Sequence, residues 1–513
     1  MKKFIYATLA VAAVLLFASC KNDKNQPKGN EVGDAYVSFT FNLPQGGFRD
    51  GVADKNAKDE YAGTAAEQAI NAVRVVLYDP ATGAAKYSFD YAISGDGTQA
   101  PTGEGIATNG TAATTARFTT KAKSVASQDY LMLAIVNPTQ DVKNATAVGK
   151  GLLDAQAAIT STADDLKANG ILMSNDRGLV KVAPANMKDA EAAAEQAPVA
   201  VSVDRILAKV FVGSTGNNGK PELPKNVKFT DIKWQLNTTN NKTFIYRQFG
   251  LVATSTVNVF NPETATDNST RFQRYAQDPN FLKGQFNSSD FTYLEDTPVL
   301  IGTYGYADDN GQYCLENTME ADAQVVKQTT SFILSGKWTP APHHEMTFNE
   351  GDTWYSYQGF TFNVAKMKEY IKEATDASKD VHVDINGTVA GFKAALKALL
   401  AETNCPVDKN DGTIKKSFVS HEIKGYKDGV CYYQTNLIRH FDDTMSSQDM
   451  GYGRYGVVRN NIYKINIKKI SNPGEPTVVN EKDNDKKDDP SKVFVAFDIT
   501  INPWIVRTQD ISL

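Results

Sequence analysis

Residues 493–513 read VFVAFDITINPWIVRTQDISL. Val493, Val495, Phe497, Ile499 and Ile501 alternate there with Phe494, Ala496, Asp498, Thr500 and Asn502, a period of two that puts the apolar set on one face of a β-strand. Such a strand must bury that face in a groove of its own domain or of a neighbour's. Just before it, residues 471–490 read SNPGEPTVVNEKDNDKKDDP, whose Pro, Gly and dense mixed charge predict a charged flexible linker. Near the other end, AYVSFTFNL at 35–43 shows the same alternation through Val37, Phe39, Phe41 and Leu43. The chain thus carries two interchangeable strands, one at each end.

At 513 residues the chain exceeds a typical single domain, and two domains are expected. A net charge of -5 gives no basic face that would call for nucleic acid. Cys20, Cys314, Cys405 and Cys431 are too few for a disulfide framework and form no CxxC pair; the last three read as buried free thiols, with a pair between two of them left open.

Residues 1–19 read as a signal peptide, with Lys2 and Lys3 before the apolar run Phe4 to Phe17. Phe17-Ala18-Ser19-Cys20 is similar to a bacterial lipobox, which makes Cys20 the lipidated residue, palmitate included; a plain signal peptide is the alternative. Downstream of the first strand, PQGGFRDG at 44–51 is glycine-rich and exposed in character, so Arg49 is a candidate cut for a trypsin-like protease. A cut there makes 20–49 a lipidated propeptide that contains the first strand, and Asp50 the first mature residue.

Between these ends the pattern is mostly β. Residues 72–78, 86–93 and 130–136 read as strands, the last as the central one, and 199–212 as one long strand. Alanine-rich helical character marks 141–166 and 190–197. The Gly/Asn cluster at 213–219 predicts a boundary between an N-terminal domain, 50–212, and a C-terminal domain, 213–470. The second domain offers strands at 227–236, 331–337, 354–362, 430–438 and 461–470, and amphipathic helices at 364–375 and 389–402. Two β-sandwiches in a row, with a few helices, are the expected architecture.

Several stretches together carry a family resemblance. Tyr130 to Asn137, Met173-Ser174-Asn175, Arg205 to Val210, Cys314-Leu315-Glu316-Asn317, Ser331 to Lys337, Val430 to His440, Arg459 to Tyr463 and Trp504 resemble, in order, the fimbrillins that build the type V pili of Bacteroidetes. The charged stretch before the last strand looks most like the major subunit of the short, minor-fimbria branch. This resemblance implies two transthyretin-like β-sandwich domains and an exported lipoprotein precursor of the outer membrane. It further implies an arginine-specific protease that removes the first strand (Val37, Phe39, Phe41, Leu43). A neighbour's C-terminal donor strand, 491–513, then takes that place through Val493, Val495, Phe497, Ile499, Ile501 and Trp504. The implied partners are other copies of the chain, accessory anchor and tip subunits, the protease, and a host or bacterial surface ligand. Long insertions at 237–282 and 365–407 depart from the pattern.

Enzyme signals are weak. GYGRYG at 451–456 fits GxGxxG by letter but lacks the preceding buried strand and following helix of a dinucleotide site. His343-His344-Glu345 lacks the second histidine of HExxH, and DKNDG at 408–412 has the wrong spacing for an EF-hand and reads as a turn. The sequence therefore predicts no catalytic residues, metal or cofactor. A structural subunit polymerising by strand exchange into an adhesive surface filament is the leading function. The alternative is a monomeric surface lipoprotein that binds a glycan or protein through aromatic loops such as Trp354, Tyr355 and Tyr357.

Overall fold

The structure, a computed structural model, describes residues 33–44, 63–176, 178–216, 218–248, 275–378, 391–440 and 455–487, with the backbone of 495–503 and 506–509. Cys20, Arg49, Asp50, Val493 and Trp504 lie outside these residues.

The chain is mostly β. Its first large sheet runs in the order Ala85–Tyr91, Val73–Tyr78, Tyr130–Val136, Met173–Asn175, Val199–Arg205, Phe39–Asn42 and Arg117–Thr119, with Val180–Val182 pairing off the path. Tyr130–Val136 is central, as its unbroken apolar run implies, and every residue in it is buried. Both of its faces are covered, the arrangement such runs require. Tyr130, Met132, Ala134 and Val136 point into one core, while Leu131, Leu133 and Ile135 meet a second core formed with Val142, Leu152 and Leu166. Those last residues belong to three short helices, Gln140–Ala145, Leu152–Gln156 and Ala163–Lys167, which replace the continuous helical stretch suggested by the alanine content.

The expected long strand at 199–212 breaks at Ile206. Val199–Arg205 stays in the first sheet, whereas Leu207–Gly213 enters a second, ordered Gln312–Leu315, Leu207–Gly213, Asn461–Ile470, Val495–Pro503 and Val506–Gln509. The passage between sheets therefore lies at Ile206, seven residues before the Gly/Asn cluster at 213. The Ile206 N–H donates to the Leu172 carbonyl at 2.9 Å, the last bond along the Met173–Asn175 strand, and from Leu207 on the partner is Gln312–Leu315.

A third sheet, Gly302–Thr303, Lys228–Asn237, Ser331–Thr339 and Val430–Leu437, shares a core with the second through Val210, Trp234, Leu334, Tyr463 and Ile465. Between the paired strands Ser331–Thr339 and Val430–Leu437 the chain inserts a small unit with a core of its own. Here the strand expected at 354–362 is a hairpin, Trp354–Tyr357 and Phe360–Asn363, turned by Gln358 and Gly359, both at positive φ. The helices Val364–Thr375 and Phe392–Ala401 cover it. Trp354, Tyr355 and Tyr357 are core residues at 0%, 0% and 3% exposure, so the alternative reading that gave them to a ligand-binding loop is corrected.

The 408–412 segment is a turn, closed by the Gly412 N–H donating to the Asp408 carbonyl at 2.8 Å. His344 and Glu345 form another, with His343 and Met346 exchanging backbone hydrogen bonds. Cys314 and Cys431 are buried free thiols, pushed up to about 12 by burial, and Cys405 is free and half-buried.

Candidate strand-exchange site

The first strand is held as part of a core. Ala35–Val37 pairs antiparallel with Lys123–Val125. The chain then pivots at Ser38, and Phe39–Asn42 slots between Val199–Arg205, to which it runs parallel, and Arg117–Thr119, to which it runs antiparallel. It is thus paired on both sides. Val37, Phe39 and Phe41 are wholly buried and Leu43 is 5% exposed, all in the core formed with Val75, Tyr87, Met132 and Val201. Phe41 stacks on Phe118 at a centroid distance of 4.9 Å. The alternation read from the sequence places these four side chains on the inner face.

The polar positions are also specified. Ser38 donates its hydroxyl to the Thr120 carbonyl at 2.6 Å, and Phe39 N–H donates to Thr120 Oγ1 at 3.2 Å. The hydroxyls of Thr40 and Thr119 meet at 2.8 Å, and Leu43 N–H donates to the Ala116 carbonyl at 2.9 Å. A buried hydroxyl without such a partner would cost about 1–3 kcal/mol. The wall strands Arg117–Thr119 and Lys123–Val125 are not legible in the sequence, because three residues are too few to show a period. Only the wall at 199–205 was legible.

From Gly63 the chain is tied to both sheets. Thr64 caps the helix Ala65–Gln68, and Glu67 returns a bond to the Thr64 N–H. The Glu67 carboxylate, 2% exposed, takes an ion pair from Lys209 at 2.8 Å and a hydrogen bond from the Tyr313 hydroxyl. Burial pushes this carboxyl up, but the Lys209 charge and the hydrogen bonds from Lys209, Tyr313 and Thr64 outweigh it and hold the group below the usual range. Glu67 thereby ties the segment next to the first sheet onto Leu207–Gly213 and Gln312–Leu315 of the second.

At the other end, Val495–Pro503 lies antiparallel on Asn461–Ile470 of its own sheet, with Val506–Gln509 folded back beside it. The register sets Phe497 opposite Ile467, Ile499 opposite Ile465 and Ile501 opposite Tyr463. Its single sequence-distant partner contrasts with the two of the first strand.

The stretch expected to be a loose leash is, over 471–487, laid against the body. Glu475 and Tyr432 exchange backbone hydrogen bonds at 2.7 and 2.8 Å, and Val478 and Asp296 do so at 2.6 and 2.8 Å. Lys486 and Asn484 accept from the N–H groups of Val326 and Lys327. Glu481 is buried against the Asn237 amide, and Val478 packs with Leu300, Ile333 and Tyr432. Composition reported the charge but not these distant backbone partners.

Among the described residues no three metal-ligating side chains converge, and no helix is long and apolar enough to cross a membrane.

The profile of the major fimbrial subunit protein (FimA) matches residues 35–205, from the first strand to the break at Ile206. That of the major fimbrial subunit protein type IV, fimbrillin, C-terminal, matches 424–510. No curated protein sequence matches the chain. Similar solved structures include a fimbrilin (FimA) from Porphyromonas gingivalis, 14% identical, covering 92% of this chain and 99% of that one with a TM-score of 0.37. The tip fimbrial protein Mfa3 of the same organism is 11% identical over 90% and 99%, with a TM-score of 0.31. A fimbrial assembly protein from Parabacteroides distasonis is 13% identical over 61% and 87%, with a TM-score of 0.28. The chain belongs to the fimbrillin family of major fimbrial subunits and is a component of a cell-surface fimbria.

Proposed function

We propose that the chain is a shaft subunit that polymerises by donor-strand exchange after proteolytic loss of its first strand. The supporting observation is the placement of Val37, Phe39, Phe41 and Leu43 in a core, paired on both sides, a few residues upstream of Arg49. Removing them uncovers apolar surface worth roughly 6–12 kcal/mol, at about 1.5–3 kcal/mol per side chain and as an upper estimate. It also opens the backbone edges of 199–205 and 117–119. The segment 493–501 of a neighbour supplies an apolar face of the same period and the missing ladder, which is strand addition. At home that strand lies between Asn461–Ile470 and Val506–Gln509; in the groove its partners are 199–205 and 117–119.

In this reading the precursor is an outer-membrane lipoprotein anchored through Cys20, and an arginine-specific protease cuts between Arg49 and Asp50, releasing lipid and first strand together. A removable first strand and a donatable last one let each copy bond at both ends, as a shaft requires. Anchor and tip subunits complete the filament, which binds a host or bacterial surface ligand. Placement in the short-fimbria branch rests on the charged 471–490 stretch. N-terminal sequencing of filaments tests the processing step: Asp50 is expected, and a mature chain beginning at Cys20 or Lys21 overturns it.

A further inference from the structure

The groove filled by the first strand imposes polar requirements as well as apolar ones, and these select one register for its replacement; this rests on the strand-exchange reading. Ser38 is 1% exposed and faces the Thr120 carbonyl oxygen, so its position takes a small residue and no negative charge. The Thr40 position faces the Thr119 hydroxyl, which can donate as well as accept. The Leu43 position must carry an N–H for the Ala116 carbonyl. Ala35, Val37, Phe39, Phe41 and Leu43 all point into the core.

Because side chains alternate, only shifts by two keep the apolar face inward. Placing Val495 at the Val37 position puts Val493, Val495, Phe497, Ile499 and Ile501 at the positions of Ala35, Val37, Phe39, Phe41 and Leu43. Ala496 then falls at Ser38, and Asp498 falls at Thr40, where the Thr119 hydroxyl donates to its carboxylate. A shift of two in one direction sets Asp498 at Ser38, against the Thr120 carbonyl oxygen, and Pro503, which has no N–H, at Leu43. The opposite shift forces the Phe494 ring into the Ser38 position. We propose that the donor strand enters the neighbour's groove in the direction of the strand it replaces, with Ala496 at the Ser38 position, Asp498 against Thr119 and Thr500 opposite Arg117.

The test is disulfide trapping in filaments grown from full-length, trypsin-cleaved protein with Cys405→Ser. Arg117 faces Asn42 in the ladder, so Arg117→Cys with Thr500→Cys should give an intersubunit ladder on a non-reducing gel. A ladder from Arg117→Cys with Asn502→Cys or Asp498→Cys overturns the register, and one with Ala496→Cys overturns the direction; donation itself survives both. Filaments with no ladder from any pair place the donor outside this groove and overturn the proposal. Failure of the cleaved, unsubstituted protein to polymerise removes the strand-exchange reading beneath it. Should the cysteine variants not assemble, Ala496→Phe and Ala496→Ser decide: the first should yield a secreted monomer without filaments and the second should assemble. Filaments from Ala496→Phe overturn the register, because only a shifted strand would carry residue 496 to the half-exposed position of Tyr36.

Discussion

At the scale of single residues, the groove and the junction between sheets depend on groups that no periodicity announces. Glu67 and Lys209 are both 2% exposed, and removing one leaves the other charge buried without its partner. Glu67→Ala should therefore cost about 3–5 kcal/mol in chemical denaturation, and Glu67→Leu less than that only if Lys209 is replaced too. The folded-state pKa of Glu67 is depressed, so its contribution is complete above the unfolded carboxylate pKa and is lost as pH falls through the lower folded value. The wild type should lose stability on acidification over that range, and Glu67→Gln should lose less; urea midpoints measured against pH check it. In the groove, Phe41→Ala removes a ring stacked on Phe118 and should destabilise the precursor by about 3–5 kcal/mol. Because residue 41 is absent after a cut at Arg49, the same substitution should leave the stability of finished filaments unchanged.

At the scale of elements, long periodic strands were legible and short or distant ones were not. Tyr130–Val136, Asn461–Ile470 and Val364–Thr375 follow the sequence reading closely because each carries enough residues to show its period. Arg117–Thr119 and Lys123–Val125, which wall the groove, carry three residues each and gain their stability from the strand between and beside them. The break at Ile206 was invisible because both halves of 199–212 are β, and they differ only in their distant partners, Met173–Asn175 before it and Gln312–Leu315 after it. Residues 471–487 were misread for a related reason, since their hydrogen bonds go to backbone more than a hundred residues away in sequence, at Asp296, Val326 and Lys327, as well as to Tyr432. At this scale, Arg49→Ala should keep the first strand in place and yield a folded, lipid-anchored precursor that does not polymerise, seen as membrane-retained monomer on fractionation. Release and assembly of that variant at wild-type levels would move the cut away from Arg49.

At the scale of the whole molecule, the two ends share one pattern but are held unequally. The first strand is sandwiched between two sequence-distant partners and contributes Ala35, Val37, Phe39, Phe41 and Leu43 to a core, whereas the last strand lies between Asn461–Ile470 and its hairpin partner Val506–Gln509. In the described chain both ends are paired, and the place between 199–205 and 117–119 is filled by the chain's own first strand. On the strand-exchange proposal, cleavage empties the groove of the first strand, and the donor strand of the next copy leaves Asn461–Ile470 and Val506–Gln509 to fill it. On the same proposal, the docked run 471–487 keeps the root of the donor on its own subunit, so that each transfer links two bodies. Electron microscopy of the trypsin-cleaved chain, with and without residues 493–513, tests this most directly. Filaments from the full-length chain and dispersed, folded monomers from the truncated one are predicted, and filaments from the truncated chain would contradict strand donation from this end.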